Sequence, residues 1–413
     1  MKILSHVSKT SARFSSRRFS QASALNDVVV VSAVRTPIGS FRSSLAALSA
    51  PRLGTFAIKA AVEQAGIPSE EVKEVYMGNV CQGSSGQAPA RQACLGAGLP
   101  QSVPCTTINK VCASGMKSIM MATQSLMCGH QDVMVAGGME SMSNVPFYMK
   151  RGDTPYGGVR LVDGIVFDGL TDAYNKCHMG VCGEETAKKM GISKEEQDNY
   201  AINSYKRSQE SAANGIFKKE TIPVTVPQKK GQEVTISEDE EYKKVNFDKF
   251  PLLKPVFVKE NGTITAANAS TLNDGAAALV LMTAAAAQRL NAKPLARIVG
   301  FADAAVDPMD FPIAPAYAMP KLLENTGVKK EDVAMWEINE AFSVVALANI
   351  KMLDLDPSKV NIHGGAVSIG HPIGMSGARI TLHMVHNLKP GEKGVAGICN
   401  GGGGASAIMV ERL

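Results

Sequence analysis

The chain repeats itself at a nearly constant offset. Residues of its first third recur in its last third 261 or 262 positions later, as from Gly66 to Gly327. The recurring pairs are Gly66 and Gly327, Glu70 and Glu331, Val72 and Val333, Ser114 and Ser376, and Gly115 and Gly377. A constant period of this kind indicates a duplicated unit. We therefore expect two halves of similar fold.

Each half alternates strands with helices. The first half begins with the apolar strand "DVVVVSAVRTP", continues with the helix "LGTFAIKAAVEQAG" and ends with the strand "DVMVAGG". The second half begins with "ARIVGFADAAV", contains the strands "AMWEINEA" and "VNIHGGAVSI", and ends with "GVAGICNGGG". Apolar strands that alternate with helices are typical of parallel sheets covered on both faces. The sequence therefore predicts an α/β fold.

The stretch between the copies has a different composition. Residues 146–264 are rich in Lys, Glu, Asp, Asn, Tyr and Pro. We interpret them as an inserted loop domain, between an N-terminal core at 27–145 that is completed by 265–292 and a C-terminal core at 293–413. The lysines of the insertion form a solvated face or bind a polyanionic ligand. They include Lys229, Lys230, Lys243, Lys244, Lys249 and Lys254.

The first 26 residues differ from the rest. They carry five basic side chains, many serines and no acid before Asp27. This pattern is typical of a mitochondrial transit peptide, although a plain basic tail is the alternative. Subtracting these five from 43 basic residues leaves 38, against 38 acids. Because the remaining chain is formally neutral, we expect no nucleic-acid partner. From the transit-peptide pattern we expect a location in the mitochondrial matrix.

Composition also limits the membrane and metal classes. No apolar run approaches the roughly 18 residues that a membrane span needs, so no span is expected. The eight cysteines are irregularly spaced, and Cys177 and Cys182 lack a second pair at zinc-ligand spacing. Neither a disulfide framework nor a zinc site is indicated.

Cys112 is the first candidate for chemistry. It follows the strand-like "TTINKV" and precedes an apolar helix. Its sulfur should lie at the helix N-terminus, where the partial positive charge favours a thiolate. This position suits a nucleophile, although by position alone an inert core cysteine is the commoner case.

Two stretches of the second half supply possible partners. His371 in "GHPIGMSG" precedes a proline, which favours extended backbone at a strand end that faces the crevice of the sheet. There it could accept the thiol proton of Cys112. Cys399 in "GICNGGGGASA" ends the last strand of its copy. The four glycines after it suit an anion-binding nest of backbone N–H groups or a flexible turn.

A polar triplet interrupts the strand-to-helix junction "WEINEAF". It consists of Glu337, Asn339 and Glu340. Asn339 could hold a water or donate to an oxyanion, or it could be the N-cap of the following helix.

These stretches resemble the signature segments of the thiolase family, and they occur in the family's order. The segments are "NKVCASGMKS", "NEAFSVV", "GGAVSIGHPIGMSGAR" and "GICNGGGGASAIMVE". The resemblance covers essentially all of residues 27–413 and is greatest to the short-chain thiolases of mitochondria. It implies a duplicated, layered αβαβα core with an inserted loop domain.

The resemblance also implies a reaction. The chain would condense two acetyl-CoA molecules reversibly to acetoacetyl-CoA and CoA, through an acetyl group on Cys112. His371 would activate Cys112, and Cys399 would exchange a proton with the α-carbon of acetyl-CoA. One oxyanion site would use His371 with a water held by Asn339, and the other the backbone N–H groups of Cys112 and Gly401. Because these residues come from both halves, the site should lie where the halves meet.

Further positions match binding residues of the family. The resemblance implies an acyl pocket at Leu170, His178 and Met179. It implies contacts to the other parts of CoA at Tyr205, Lys244, Val245, Asn246, Lys249, Phe257 and Ser270. It implies a potassium ion at Tyr205, Ala266, Ala267, Ala269 and Val367, and no prosthetic group.

The family likeness further implies a homotetramer built from dimers, with "GQAPARQACLGAG" near the dimer contact, and a role in ketone-body and isoleucine metabolism. Two features depart from the pattern. His363 stands where relatives commonly have asparagine, and "KKVNFDK" matches its segment only loosely.

Two alternatives remain open. A broad-range 3-ketoacyl-CoA thiolase would share the motifs but accept long acyl chains. A CoA- or lipid-binding protein could keep the fold without the chemistry, although the intact set of Cys112, Asn339, His371 and Cys399 argues against it.

Overall fold

The computed structural model describes residues 25–413. Most of the predicted transit peptide at 1–26 therefore lies outside the described residues. The strands are β1 Val28–Arg35, β2 Gly39–Ser40, β3 Glu74–Gly78, β4 Cys105–Ile108, β5 Val133–Ser141, β6 Phe147–Tyr148, β7 Val162–Asp163, β8 Val224–Pro227, β9 Glu233–Ile236, β10 Asn273–Thr283, β11 Ala296–Ala305, β12 Val333–Ile338, β13 Lys393–Asn400 and β14 Gly404–Arg412. The α-helices are α1 Ala50–Ala65, α2 Pro89–Gly96, α3 Ser114–Met127, α4 Met179–Met190, α5 Lys194–Ala213, α6 Ala284–Arg289, α7 Pro315–Thr326, α8 Ser343–Leu353, α9 Ala366–Ile369 and α10 Ser376–Asn387.

The duplication is visible in the order and direction of the strands. The large sheet runs β12-β13-β14-β11-β1-β10-β5-β3-β4, with β2 beside β10. The halves meet where β1 and β11 pair, over only two residue pairs. On the first side, β10 is antiparallel to β1 and β5, and β5 is parallel to β3. On the second side, β14 is antiparallel to β11 and β13, and β13 is parallel to β12.

The prediction of parallel sheets is therefore correct only for the outer strands. β13 and β14 form a hairpin, because Gly402 and Gly403 adopt left-handed φ values of 83° and 82° that allow the chain to reverse. The predicted strand "VNIHGGAVSI" is also wrong. Only Val360 pairs, in a single bridge to Trp336, before a turn with Gly364 at φ 83° leads into α9.

The elements stack in the predicted αβαβα layers. α3 and α10 form the central layer and share an apolar cluster with the inner faces of β1, β10 and β13. α1, α2 and α6 cover the outer face of the first half, and α7 covers that of the second. β5 and β10 are buried along their whole length, as expected for strands with both faces covered. Within residues 25–413, no helix combines the length and the apolar character that crossing a membrane requires.

The repeated glycines have repeated structural roles. Gly66 ends α1 and Gly327 ends α7, with left-handed φ values of 66° and 67° that L side chains rarely adopt. Gly115 and Gly377 lie where α3 and α10 touch. A Cβ on Gly115 would lie 2.8 Å from the carbonyl oxygen of Gly374, and one on Gly377 would lie 2.6 Å from the backbone nitrogen of Met116. The central helices approach this closely because both glycines lack a side chain.

A buried polar network joins residues 146–264 to the end of β1. Arg35 at the end of β1 is fully buried. Its guanidinium donates to Glu220 at 2.7 Å and to both carboxylate oxygens of Asp239 at 2.7 and 2.9 Å. Glu220 also contacts the Nδ1 of His383 at 2.8 Å, and His383 Nε2 lies 3.0 Å from the Nδ1 of His363. The unusual histidine at 363 is thus the outer end of this network.

Replacing Arg35 by methionine should strongly destabilise the chain. The variant leaves two buried carboxylates without their partner, which costs about 3–5 kcal/mol in the free energy of unfolding. Urea unfolding can be followed by the fluorescence of the only tryptophan, Trp336, which is buried on β12. The matched control is Arg289→Met, which breaks exposed pairs to Glu71 and Asp132 and should change stability little. Equal unfolding midpoints for the two variants would contradict this account.

Candidate active site

Cys112 lies in a tight turn between β4 and α3. Val111 before it has a φ of 46°, which is rare for a β-branched residue and marks a constrained turn. The Ser114 hydroxyl accepts from the Lys110 N–H at 2.8 Å and donates to the Val111 carbonyl at 2.6 Å. Asn109 Oδ1 accepts from the Val111 N–H at 3.0 Å. The turn therefore places the sulfur two residues before the helix begins.

Two opposing effects act on the protonation of Cys112. Cys112 is half-buried, and burial raises the pKa of its thiol to about 12. The backbone N–H groups of Cys112 and Gly401 lie close enough to the sulfur to oppose this rise, but they do not overcome it. Desolvation outweighs the favourable helix terminus, so Cys112 is a neutral thiol near pH 7.

His371 is buried and held as a neutral base. Its backbone N–H donates to Asn273 Oδ1 at 2.8 Å, and its Nδ1 lies 2.6 Å from the Ser376 hydroxyl. Because that hydroxyl donates to the Pro372 carbonyl at 2.9 Å, it must accept from the imidazole, and we assign the proton to Nδ1. Nε2 is buried and has no partner among residues 25–413. Burial lowers the pKa of His371 to about 4, which leaves Nε2 free to accept a proton.

Asn339 is fully buried with an unused side chain. Its backbone N–H donates to the Gly397 carbonyl at 3.0 Å, which holds it beside β13. Neither its amide oxygen nor its amide nitrogen has a partner in the described part of the chain. The N-cap interpretation is wrong, because α8 begins at Ser343 with Phe342 as its N-cap. An orphaned buried amide is suited to a bound water or a substrate oxygen.

Cys399 and the glycine run face Cys112 from the second half. Cys399 is fully buried at the end of β13. Burial raises the pKa of its thiol far above the usual range, and the neighbouring Cys112 raises it further. A Cβ on Gly401 would lie 3.6 Å from Val111 and 3.8 Å from Met179, so the glycine turn packs directly against the turn that carries Cys112.

Two of the residues predicted to wall the acyl pocket pack in the same apolar clusters as the two cysteines. Leu170 packs with Cys112 in one apolar cluster, and Met179 packs with Cys399 in another. His178 accepts from the Gly180 N–H at 3.0 Å as the N-cap of α4, and its ring stacks on Phe257 at 4.6 Å. Burial lowers the pKa of His178.

A cavity of about 470 Å³ gathers some of the residues predicted to bind CoA. Lys244, Phe257 and Ser270 line it, together with Ala266 and Ala269. The Lys244 ammonium donates to the Ser40 hydroxyl, and the Ser270 hydroxyl donates to the Ala341 carbonyl at 2.8 Å.

Other predicted CoA contacts lie away from the walls of this cavity. Val245 packs on the central apolar cluster, and Asn246 accepts from the Asp248 N–H at 3.1 Å. Lys249 is exposed. Tyr205 is buried in the central cluster.

The predicted potassium ligands suit an alkali cation. Tyr205 and Val367 are buried in the central apolar cluster, and Ala267 packs against it. Among residues 25–413, no donor reaches the carbonyl oxygens of Ala266, Ala267 or Ala269. Oxygen atoms left free in this way are the ligands that hard cations prefer. The same range contains no cluster of three or more His, Cys, Asp or Glu side chains able to hold a metal.

Three supporting residues escaped the sequence interpretation. Ser376 stands out in the sequence as the repeat of Ser114, but the repeat indicates only the duplication and not a contact to His371. Asn273, which holds His371, lies on β10 and carries no local pattern. Glu140 accepts from the N–H groups of Val80 and Gly374 at 3.0 and 2.8 Å and so joins the two halves. Burial raises the pKa of Glu140 to about 7.

The protonation of Cys112 can be tested by alkylation. With a thiol pKa of about 12, the thiolate fraction rises about tenfold per pH unit below that value. The rate of iodoacetamide labelling, measured on the tryptic peptide 111–117, should therefore rise steadily from pH 6 to pH 9. Free cysteine, with a pKa of about 8.5, should approach a plateau over this range. A pH-independent labelling rate would show that Cys112 is already a thiolate. It would contradict the neutral thiol described above.

Comparison with known proteins agrees with this geometry. The family model "Thiolase, N-terminal domain" matches residues 28–285, and "Thiolase, C-terminal domain" matches residues 292–412. The mitochondrial acetyl-CoA acetyltransferase of Mus musculus is 72% identical over 397 residues, which cover 96% of this chain and 94% of that protein. The mitochondrial acetyl-CoA acetyltransferase of Homo sapiens is 69% identical over 401 residues, which cover 97% and 94%.

Solved structures show the same fold. The Acat5 thiolase from Ascaris suum in complex with coenzyme A superposes with a TM-score of 0.91 at 50% identity, over 94% of this chain and 100% of that one. The acetyl-CoA acetyltransferase of Bacillus anthracis superposes with a TM-score of 0.90 at 38% identity, over 95% and 100%. The fold and both family models lead to one conclusion: this chain belongs to the thiolase family.

Proposed function

We propose that the chain is an acetyl-CoA C-acetyltransferase that condenses two acetyl-CoA molecules reversibly to acetoacetyl-CoA and CoA. The observation that carries the proposal is the meeting of two thiols from different halves, Cys112 and Cys399. His371 offers a buried imidazole whose Nε2 has no partner among residues 25–413. The names of the most similar relatives support acetyl-CoA as the substrate.

The first half-reaction transfers an acetyl group to Cys112. His371 Nε2 takes the thiol proton, and the sulfur attacks the thioester carbonyl of acetyl-CoA. The N–H groups of Cys112 and Gly401 stabilise the oxyanion. The CoA thiolate leaves and takes a proton from Cys399. The products are acetyl-Cys112, a protonated His371, a Cys399 thiolate and free CoA.

The second half-reaction forms the carbon–carbon bond. The Cys399 thiolate is a strong base, because its surroundings raise the pKa of the thiol, and it removes an α-proton from a second acetyl-CoA. The enolate oxygen is stabilised by protonated His371 and by a water on Asn339. The carbanion attacks the acetyl carbonyl, Cys112 leaves, and His371 returns its proton. All three groups are then back in their starting states.

CoA binding is proposed for the cavity between the core and the insertion. In this proposal, residues 146–264 bind CoA, while 27–145 with 265–292 and 293–413 form the two cores. Lys244 carries positive charge at the cavity wall, and Phe257 and Ser270 offer an apolar face and a hydroxyl. The other proposed CoA contacts lie farther from the cavity, where the pantetheine or nucleotide part of CoA would extend. They are Val245, Asn246, Lys249 and Tyr205.

A potassium ion is proposed at the carbonyls of Ala266, Ala267, Ala269 and Val367 with the Tyr205 hydroxyl. When bound, it supplies a fixed positive charge that steadies the loop. The same loop carries Ser270, whose hydroxyl lies at the cavity, so an ordered loop keeps this group in position. CoA itself is a substrate, and no prosthetic group is proposed.

A homotetramer in the mitochondrial matrix is part of the proposal. The small sheet of β6 and β7 exposes a group of large apolar side chains, which is typical of an interaction surface. They are Phe147, Met149, Leu161 and Phe167. The segment 86–98 is proposed for the dimer contact. The relatives are named mitochondrial, which supports a transit peptide at 1–26. Roles in ketone-body and isoleucine metabolism, including cleavage of 2-methylacetoacetyl-CoA, complete the proposal.

Two cysteine variants test the assigned roles. Cys112→Ser should abolish acetylation, seen by mass spectrometry of the intact chain after brief exposure to acetyl-CoA, because a serine hydroxyl is a weaker nucleophile here. Cys399→Ala should still be acetylated at Cys112, but its condensation rate should fall about 10²–10⁴-fold, since it lacks the base. The exposed Cys128→Ala is the control and should behave as wild type. Equal loss of acetylation in both variants would refute the division of roles, and absence of acetylation in wild type would favour a binding protein.

Chain length and potassium distinguish the enzymatic alternative. Met179 and Leu170 narrow the acyl site, so thiolysis of the C4 substrate acetoacetyl-CoA should exceed that of C10 to C16 3-ketoacyl-CoA substrates. Potassium should accelerate thiolysis relative to sodium at equal ionic strength. A faster rate on long chains would favour a broad-range 3-ketoacyl-CoA thiolase. Equal thiolysis rates in potassium and sodium would contradict the proposed potassium site.

A further inference from the structure

Three sulfur atoms meet at the start of α4. Cys177 Sγ lies 3.8 Å from Cys182 Sγ, and Met309 Sδ lies 3.7 Å from each. Met309 comes from the second half, 132 positions after Cys177, so the cluster exists only in the folded chain. The proposed thiolase reaction uses none of these sulfurs.

The geometry of this sulfur triangle suits a metal ion. With edges of 3.7, 3.7 and 3.8 Å, a point in its plane lies about 2.2 Å from all three sulfurs. Metal–thiolate bonds are about 2.3 Å long. An ion at this point would need almost no movement of the side chains. A disulfide between Cys177 and Cys182, by contrast, would require the sulfurs to close from 3.8 Å to about 2.05 Å.

The ligand chemistry selects the kind of ion. Two thiols and a thioether are soft ligands, and they favour Cu(I) over cations that prefer oxygen or imidazole. The carboxylate of Asp172 accepts at Oδ2 from the backbone N–H groups of Tyr174 and Asn175 at 3.2 and 2.5 Å, and its Oδ1 is buried without a partner among residues 25–413. It does not complete a group of three His, Cys, Asp or Glu side chains able to hold a metal within that range, so the sulfur atoms are the ligands considered. The absence of a second ligand pair, which argues against a four-coordinate zinc site, does not affect a three-coordinate one.

Access and charge are also suitable. Cys182 is fully buried, whereas Cys177 and Met309 are half-buried and leave a route from the surface. Two thiolates and Cu(I) carry one net negative charge at the N-terminal end of α4, which favours an anion. Burial raises the pKa of the Cys182 thiol to about 12, so binding near pH 7 must displace thiol protons.

We propose that Cys177, Cys182 and Met309 form a trigonal site for Cu(I). On binding, two S–H bonds break and two copper–thiolate bonds and one copper–thioether bond form. Two protons pass to the solvent, and no atom changes oxidation state. The site holds the segment 177–182, which carries His178 and Met179 at the acyl pocket, and its existence does not depend on the acetyl-transfer reaction.

Copper binding can be measured on the full chain under anaerobic conditions. The reduced protein competes with bicinchoninate for Cu(I), and loss of the coloured complex reports transfer. Wild type should take up one tightly held equivalent. Met309→Leu, which keeps the volume of the side chain, should weaken affinity about tenfold or more, and Cys177→Ala should weaken it further. The control Cys128→Ala removes an exposed cysteine elsewhere and should match wild type.

Two further readouts separate this site from other thiols. Because two protons are released, affinity should rise up to about a hundredfold per pH unit. The tryptic peptide 177–188 contains both cysteines, and it should be protected from alkylation by copper. Unchanged affinity in Met309→Leu and Cys177→Ala would place the copper on other thiols and overturn the proposal. If the peptide from copper-free protein is about two mass units lighter than the dithiol form, Cys177 and Cys182 are joined by a disulfide. That result would also overturn the proposal.

Discussion

The close contact between α3 and α10 is the constraint on which the rest of the structure depends. Gly115 and Gly377 let the two central helices approach until a single added methyl group would overlap backbone atoms. The turn before α3 carries Cys112, and the turn before α10 carries His371. A wider helix separation would move these groups apart and open the core between the sheets. The duplicated glycines therefore have one function in packing and another in assembling the site.

Burial then sets the electrostatics of the site. It raises the pKa of both thiols and lowers that of His371, so all three groups are neutral at rest. A neutral site costs little to enclose in a low-dielectric core. It also means that each ionised form arises only by proton transfer to a neighbour, from Cys112 to His371 and from Cys399 to the leaving CoA. Ser376 and Asn273 support this transfer, since they fix the tautomer and the position of the imidazole.

Two of the links between residues 146–264 and the rest of the chain differ in their chemistry. The buried network around Arg35 joins Glu220 and Asp239 to the end of β1 and reaches the histidine pair of His363 and His383. At α4, the sulfur triangle joins Cys177 and Cys182 to Met309 of the second half. The first link is ionic and requires its arginine. The second consists of polarisable atoms in contact, and such atoms can also bind a soft cation.

The sequence by itself determined the duplication, the α/β class, the layered fold and the candidate groups Cys112, Asn339, His371 and Cys399, because periodic markers and ordered motifs are local patterns. It misjudged the parallel sheets and the strand "VNIHGGAVSI", because glycines with left-handed backbone reverse or end strands regardless of their apolar content. It could not give the balance of effects on the Cys112 pKa, since a helix terminus is read from local order but desolvation depends on everything packed around the sulfur. Only the tertiary structure decided that Ser376 orients His371, that Asn339 is an orphaned amide rather than a cap, and that Met309 meets two distant cysteines. Met309 and the cysteines lie far apart in the chain, and the orphaned amide depends on everything packed around Asn339. Ser376 is only five residues from His371, but their contact depends on how the turn before α10 is folded, and no local pattern encodes that.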